Sequence, residues 1–183
     1  MRLVQSILTA ASLVVSATPA LAAEIATGAK LPAGFVAVDL NGKPRNLASI
    51  TGRKGVVLVL FRSARWCPFC QGQLKEMKAL QAPLAQRGYT LAALSYDPPA
   101  VLAKFAGAQG LGYTFLSDEK SRVIDLLGLR DPEYGAGSFA EGVPKASTLV
   151  IDAKGKLLWK AVATDYKVRP QNAAILKAVD SIK

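Results

Sequence analysis

The only two cysteines of the 183-residue sequence, Cys67 and Cys70, are separated by two residues, a spacing that suits reversible disulfide chemistry. A stable cross-link or part of a metal site is the alternative. A bridge across so short a loop removes little entropy from the unfolded chain. A tetrahedral zinc site needs about four nitrogen or sulfur ligands, and the chain has no histidine. The pair therefore favours a redox-active disulfide, with no metal and no cofactor expected.

The elements around the pair predict where each sulfur lies. Gly55–Phe61 is an apolar, β-branched run typical of a strand buried on both faces. A helix is predicted from Pro68, because proline suits a first helical turn and apolar residues then recur at helical spacing, at Leu74, Met77, Leu80 and Leu84. Cys67 is thus expected at a helix N-terminus and Cys70 one turn inside, on the packed side. We predict that Cys67 is the attacking thiol and Cys70 the resolving thiol.

Positive charge near Cys67 is needed to favour the thiolate, which is the reactive form of a cysteine. A helix N-terminus contributes about 0.3–1 kcal/mol to an adjacent anion. Lowering the pKa of a cysteine from about 8.5 to about 7, so that the thiolate is abundant at neutral pH, requires roughly 2 kcal/mol of stabilisation of the anion. We expect Arg62 and Arg65 to supply the remainder.

The N-terminus has the pattern of a secretory signal peptide. Met1-Arg2 is a short positive region, Leu8–Val15 is apolar, and Ala20-Leu21-Ala22 supplies a small-x-small cleavage site. We predict a signal peptide at residues 1–22 and one domain at 23–183, with cleavage after Ala23 as the near alternative. Export to the bacterial periplasm follows, where disulfides are permitted. The apolar segment is too short and interrupted to span a bilayer, so no stable membrane anchor is expected.

The formal net charge of +10 raises the question of nucleic acid. Lysine and arginine are scattered along the chain and form no basic run. Loss of Arg2 with the signal peptide leaves a net charge of +9 on 161 residues. We interpret this charge as a solvated basic surface, with attraction to anionic lipid or to an acidic partner as the alternative, and expect no nucleic-acid partner.

The remaining pattern alternates strands with helices. A hairpin with its turn at Asn41-Gly42 comes first, and the order then reads β, α, β, α, β, α, β, β, α. This order predicts a mixed sheet covered by helices on both faces. The long helix after the cysteines is expected to continue, kinked, past Pro83. Asp97 is expected to cap the following helix, and 130–142 to form an exposed loop.

Several segments resemble known redox families. Trp66-Cys67-Pro68-Phe69-Cys70 resembles the active-site motif of thioredoxin-fold oxidoreductases, and Gly142-Val143-Pro144 resembles the cis-proline segment that faces it. Val59–Arg62 and Asp165–Arg169 resemble the peroxiredoxin-like branch of the AhpC/TSA (redoxin) family. The resemblance runs from about Gly34 to the end. It implies a thioredoxin-like α/β fold with an N-terminal β-hairpin extension.

The resemblance also implies roles for neighbouring side chains. Trp66, Phe69 and Pro144 are expected to line the approach to the cysteines, and Arg62 and Lys145 to stabilise the thiolate. Three departures stand out. Family members typically carry Thr or Ser three residues before the reactive cysteine, where this chain has Ala64, and a proline four residues before that position, where this chain has Leu60. They carry arginine at the position of Lys145, and lysine lacks the bidentate fork.

Three functions follow from these residues. The first is reduction of peroxides, an antioxidant activity supported by a thioredoxin-like electron donor. The second is thiol–disulfide exchange with protein or small-molecule disulfides. A distant third is a non-enzymatic Cu(I) carrier, because two thiolates can bind Cu(I); related carriers also use a histidine, which this chain lacks.

Overall fold

The computed structural model describes residues 22–182, so the predicted signal peptide lies outside the described residues except for Ala22. No helix of the described part is long and apolar enough to cross a membrane. The elements are β1 Val36–Val38, β2 Pro44–Asn46, α1 Leu47–Ile50, β3 Gly55–Leu60, α2 Pro68–Met77, a 3-10 turn Lys78–Leu80, α3 Gln81–Gln86, β4 Tyr89–Ser95, α4 Pro99–Ala108, β5 Thr114–Ser117, α5 Arg122–Leu126, β6 Ser147–Asp152, β7 Leu157–Val162 and α6 Asn172–Ser181.

The seven strands of the described residues form one mixed sheet in the order β2-β1-β5-β4-β3-β6-β7. β3 lies near its centre and pairs parallel to β4, with Val57 opposite Leu91. On its other side β3 pairs antiparallel to β6, with Leu58 opposite Leu149. The N-terminal hairpin β1–β2 lies at one edge of the sheet. This is the mixed α/β sheet with a hairpin extension that the element order predicts.

The alternation of side chains along β3 divides the core into two layers. Val57 and Val59 face the layer that contains apolar residues of α2, α3, α4 and α6. Val56 and Leu58 face the layer that contains residues of α5 and of the N-terminal segment. Burial of each such side chain contributes about 1.5–3 kcal/mol. The strand that ends before the cysteines is therefore firmly anchored on both faces.

The long helix after the cysteines does not continue as predicted. α2 ends at Met77, and a 3-10 turn separates it from α3, which contains Pro83. Proline has no N–H to bond the carbonyl four residues earlier, and its ring crowds that carbonyl. The carbonyl belongs to Ala79, inside the 3-10 turn. The sequence correctly predicted that Pro83 disturbs this helix, but the helix is divided into two by a 3-10 turn instead of being kinked.

The two acidic residues that precede helices behave differently from each other. Asp118 caps α5, because its carboxylate accepts hydrogen bonds from the backbone N–H groups of Arg122, Val123 and Ile124, each 2.9 Å away. The predicted cap of α4 by Asp97 is wrong: Pro98 precedes this helix, and no side chain caps it. The carboxylate of Asp97 is instead directed to the loop that leads to Cys67.

Backbone hydrogen bonds close the loop that precedes β6 and hold the segment around Ile25 beside the end of α5. The loop 130–142 contains no regular strand or helix, and its ends meet where Lys145 N–H donates to Leu129 O, 2.8 Å away. The N-terminal segment is held by Ile25 N–H donating to Leu127 O over 3.0 Å. Gly128 has a φ of +64°, and a Cβ there would overlap the backbone of Ala23. The glycine permits this close approach.

Candidate active site

Cys67 and Cys70 lie at the junction between β3 and α2 and are joined by a disulfide, with their Cα atoms 5.3 Å apart. Cys67 is the N-cap residue of α2, and its Sγ accepts a hydrogen bond from Cys70 N–H at 3.3 Å. Pro68 occupies the first turn, where an N–H has no helical partner. Cys67 is 2% exposed and Cys70 0% exposed. Cys67 is thus buried at the positive end of a helix, and Cys70 is buried one turn inside it.

The loop between β3 and α2 is held by a buried carboxylate. Asp97, just after β4, accepts hydrogen bonds from Ser63 Oγ at 2.8 Å and from Ala64 N–H at 2.6 Å. Ser63 Oγ in turn accepts from Arg65 N–H at 2.9 Å and from Trp66 N–H at 3.3 Å. Burial raises the pKa of Asp97, and the hydrogen bonds from Ala64 and Ser63 oppose that rise. This network fixes the backbone immediately before Cys67.

Arg62 is 2% exposed and lies among three aromatic rings. Its Cζ lies 4.2 Å from the ring centroid of Tyr166, 4.8 Å from that of Tyr134 and 5.1 Å from that of Trp66. Within residues 22–182, no carboxylate is close enough to form an ion pair with it. Its Nε is buried without a hydrogen-bond partner. The aromatic faces therefore hold a cation that no carboxylate neutralises.

Arg169 is the residue that reasoning from the sequence missed. Its Nη2 lies 3.7 Å from Cys70 Sγ, and its Nε donates to Gln73 Oε1 at 3.0 Å. Burial, and secondarily the charge of Arg62, lower the pKa of Arg169 to about 10. The sequence signal that could have found it was the similarity of Asp165–Arg169 to the family's C-terminal segment, which predicted no role for any single residue.

Trp66 and Phe69, which were predicted to line the approach to the cysteines, lie next to Cys67 and Cys70 in the sequence. The side chains of both residues contact other aromatic rings. Trp66 Nε1 donates to the hydroxyl of Tyr96 over 3.1 Å, and its ring lies 5.5 Å from the ring of Phe139. Phe69 is 45% exposed and packs edge-on against Tyr166, with 5.8 Å between the ring centroids. The aromatic surface near the disulfide thus combines Trp66 and Phe69 with side chains from two distant segments.

Pro144 and Lys145 are placed differently from what the resemblance implies. No peptide bond within residues 22–182 is cis, so the expected cis geometry at Pro144 is wrong. Pro144 is buried and forms an isolated β-bridge with Arg130. The ammonium of Lys145 lies 3.7 Å from the carboxylate of Glu24. Its role at the thiolate stays a prediction, and Arg169 supplies the guanidinium beside a sulfur.

Acidic and thiol side chains of the described segment form no group of three or more that could hold a metal ion. The chemistry supported by the geometry is that of two sulfurs, two arginines and the backbone N–H groups of a helix N-terminus.

The comparison with known families gives the affiliation. The model of the AhpC/TSA family matches residues 27–160. The chain belongs to the AhpC/TSA family. Peroxiredoxin Bcp of Escherichia coli K12 is 30% identical over 158 residues, covering 86% of this chain and 94% of the relative. Membership confirms the resemblance based on the residues around Cys67, and relatives of this kind make the chain a thiol-dependent oxidoreductase.

Solved structures of the family confirm the fold. Peroxidoxin BcpB from Mycobacterium tuberculosis superposes with a TM-score of 0.74 at 25% identity, covering 86% of this chain and 97% of the other. Reduced Prx3 of Vibrio vulnificus in complex with H₂O₂ gives a TM-score of 0.72 at 24% identity, covering 85% and 99%. The AhpC/TSA chain therefore has the thioredoxin-like peroxiredoxin fold that the sequence predicts.

Proposed function

We propose that this protein is an exported thiol peroxidase, in which Cys67 attacks peroxides and Cys70 resolves the product. The observation that carries the proposal is the position of Cys67 Sγ, which caps α2 and accepts the N–H of Cys70 at 3.3 Å. In the reduced protein the same N–H groups stabilise a thiolate. Peroxiredoxin relatives support peroxide as the substrate.

The proposed reaction has two steps. The Cys67 thiolate attacks the terminal oxygen of ROOH, the O–O bond breaks, and RO⁻ leaves as ROH after protonation, so Cys67 becomes a sulfenic acid. The Cys70 thiolate then attacks Cys67 Sγ and displaces hydroxide, which leaves as water. The product is the Cys67–Cys70 disulfide seen in the structure. A thioredoxin-like dithiol donor returns two electrons and restores both thiols.

Thiol–disulfide exchange is the second candidate, and one residue favours it. Ala64 stands where the family typically carries a hydroxyl residue, so this chain lacks that donor for a peroxide. Its backbone N–H already bonds Asp97 at 2.6 Å. Exchange with a disulfide needs only the activated Cys67 and the nearby Cys70.

One comparison separates the two candidates. The reduced protein is mixed with H₂O₂ or with a model protein disulfide, and oxidation is followed by stopped flow. We expect H₂O₂ to react at least a hundredfold faster than it does with free cysteine. The Cys67→Ser variant should lose this reaction, and Cys70→Ser should accumulate a sulfenic acid that a dione reagent traps. A rate with H₂O₂ no faster than that of free cysteine refutes the peroxidase proposal.

Export is supported by the sequence pattern and by the location of Glu24. Both cleavage positions precede this residue, which is the first of residues 22–182 to form ion pairs, with Lys160 at 2.6 Å and Lys145 at 3.7 Å. Cleavage at either position therefore leaves Glu24 available to the fold. Intact mass of the periplasmic protein should correspond to residues 23–183 or 24–183, whereas an uncleaved cytosolic chain contradicts export.

A further inference from the structure

The segment 165–172 lies along one side of α2, and we call it the C-terminal strap. Tyr166 packs against Phe69, Arg169 bonds Gln73, and Asn172 Nδ2 donates to the carbonyl of Glu76 over 2.9 Å. The three partners on α2 are spaced four and then three residues apart, so they share one helix face. The adjacent face, with Cys70, Leu74 and Met77, is packed into the core.

The strap places one guanidinium against the sulfur of Cys70. The Nη2 atom of Arg169 lies 3.7 Å from this sulfur, and Nη1 donates to the carbonyl of Val168 over 3.1 Å. In the described part of the chain no carboxylate forms an ion pair with Arg169. Its remaining partner, the side-chain amide of Gln73, is neutral and 7% exposed. The geometry leaves its charge available to the sulfur.

We propose that Arg169 is a catalytic residue for the resolving thiol, and that it stabilises the thiolate of Cys70. This inference rests on the proposed redox cycle but assigns a role that the cycle alone does not require. Cys67 has the helix N-terminus to favour its anion. Cys70 lies one turn inside, where its only charged hydrogen-bond partner among the described residues is Arg169.

The same contact acts in both directions of the cycle. During resolution, the Cys70 thiolate forms the S–S bond while the S–O bond of the Cys67 sulfenic acid breaks and hydroxide leaves. During recycling, a donor thiolate attacks Cys67 Sγ, the S–S bond breaks, and Cys70 leaves as a thiolate beside Arg169. Because a stabilised thiolate is the better leaving group, this contact directs the donor to Cys67.

The other charged side chains that the structure describes near Arg169 form no hydrogen bond with it. Arg62 acts on it from the β3–α2 loop, and Asp165 acts from the strap itself. Glu76 and Lys167 line the groove in which Arg169 lies, together with Phe69 and Gln73. Cys70 itself belongs to a core cluster of buried apolar residues. Lys167, in the same groove but without a hydrogen bond to either sulfur, provides a matched control.

The test isolates Cys70 in a Cys67→Ser background and needs no peroxide. Thiolate absorbance of Cys70 is followed against pH with Arg169 intact, in Arg169→Gln, in Arg169→Lys and in Lys167→Gln. We expect Arg169→Gln to move the midpoint at least one pH unit upward, a tenfold change in proton affinity. Arg169→Lys should shift the midpoint less than Arg169→Gln does, because lysine keeps the positive charge. Lys167→Gln should leave the midpoint within 0.3 pH units of the protein with Arg169 and Lys167 intact, about a twofold change in proton affinity. Near-UV circular dichroism checks that each variant is folded.

A second measurement uses the protein with both cysteines. Mixed disulfides are trapped with a monothiol donor in excess, and the modified cysteine is found by mass spectrometry. We expect the label on Cys67 and a slower release of Cys70 in Arg169→Gln, by tenfold or more. An unchanged midpoint for Cys70, or equal shifts in the Arg169 and Lys167 variants, refutes the role of Arg169. Neither result depends on whether peroxide is the substrate, so the two proposals fail separately.

Discussion

The carboxylate of Asp97 accepts the backbone N–H of Ala64 at 2.6 Å, across 33 residues of sequence. This hydrogen bond joins the end of β4 to the loop that leads to Cys67. The same carboxylate accepts Ser63 Oγ, which organises the next two backbone N–H groups. The reactive cysteine is therefore positioned from the adjacent strand as well as from its own.

Asp97→Ala should lower both stability and reactivity. It leaves two buried donors without an acceptor, and each such loss costs about 1–3 kcal/mol. We expect urea denaturation of the reduced protein to show a loss of about 2–4 kcal/mol. Asp97→Asn keeps one acceptor oxygen and should lose less than half as much. If the two variants are equally stable, the network does not hold the loop.

Arg62→Met should slow the reaction of reduced Cys67 with H₂O₂ at neutral pH by tenfold or more. Arg62 is a buried cation without a carboxylate partner in the described residues, so its charge is free to favour the thiolate. The matched control is Arg53→Met, which removes an exposed arginine just before β3 instead of a buried one just after it. Stopped-flow rates decide the matter. Equal rates in the two variants contradict a role for Arg62.

Asp118 predicts a pH dependence of stability. Burial raises its pKa from 3.8 to about 6, against the opposing effect of three backbone N–H donors. Because the folded state then holds the proton more tightly, its contribution to stability is full below about pH 4 and is lost as the pH rises through 6. Relative to Asp118→Asn, the wild type should lose up to about 3 kcal/mol between pH 4 and pH 7. A gain over this range in urea titrations indicates that the N–H donors outweigh burial.

Ala64→Thr should raise the rate with H₂O₂ several-fold, because it adds a hydroxyl donor where the family typically has one. A cavity of about 400 Å³ borders this residue, so the larger side chain has room. The control is Ala108→Thr, which lies on the same cavity at the end of α4, beyond the helix residues that face the core. This variant should leave the rate with H₂O₂ unchanged. The rate with a model disulfide should stay constant in both. A lower peroxide rate in Ala64→Thr shows that the hydroxyl is not used here.

A local sequence pattern predicted the central strand well. β3 differs from the predicted strand Gly55–Phe61 only at Phe61, because an apolar β-branched run bounded by turns is unambiguous. Cys67 at the N-cap of α2 was predicted from the same patterns. The family resemblance added the thioredoxin-like fold, which the solved structures confirm.

Contacts between distant residues account for what the sequence did not predict. Arg169 meets Cys70 across 99 residues, and no local pattern indicates that pairing. Asp97 looks like a helix cap in sequence, but β4 directs its carboxylate to a neighbouring loop. Lys145 was predicted near the thiolate, and its ammonium lies by Glu24 from the N-terminal segment. Predictions of helix caps and charge pairs from sequence use only residues that are close along the chain, so they cannot identify partners from distant segments.

The location of Trp66 gives the protein an internal optical reporter. One of only two tryptophans, it directly precedes Cys67, its indole faces the guanidinium of Arg62, and its Nε1 bonds Tyr96. The other, Trp159, lies in β7. Emission from Trp66 should therefore change when the neighbouring sulfurs gain or lose two electrons. Unlabelled protein can thus be followed through its cycle by intrinsic fluorescence alone.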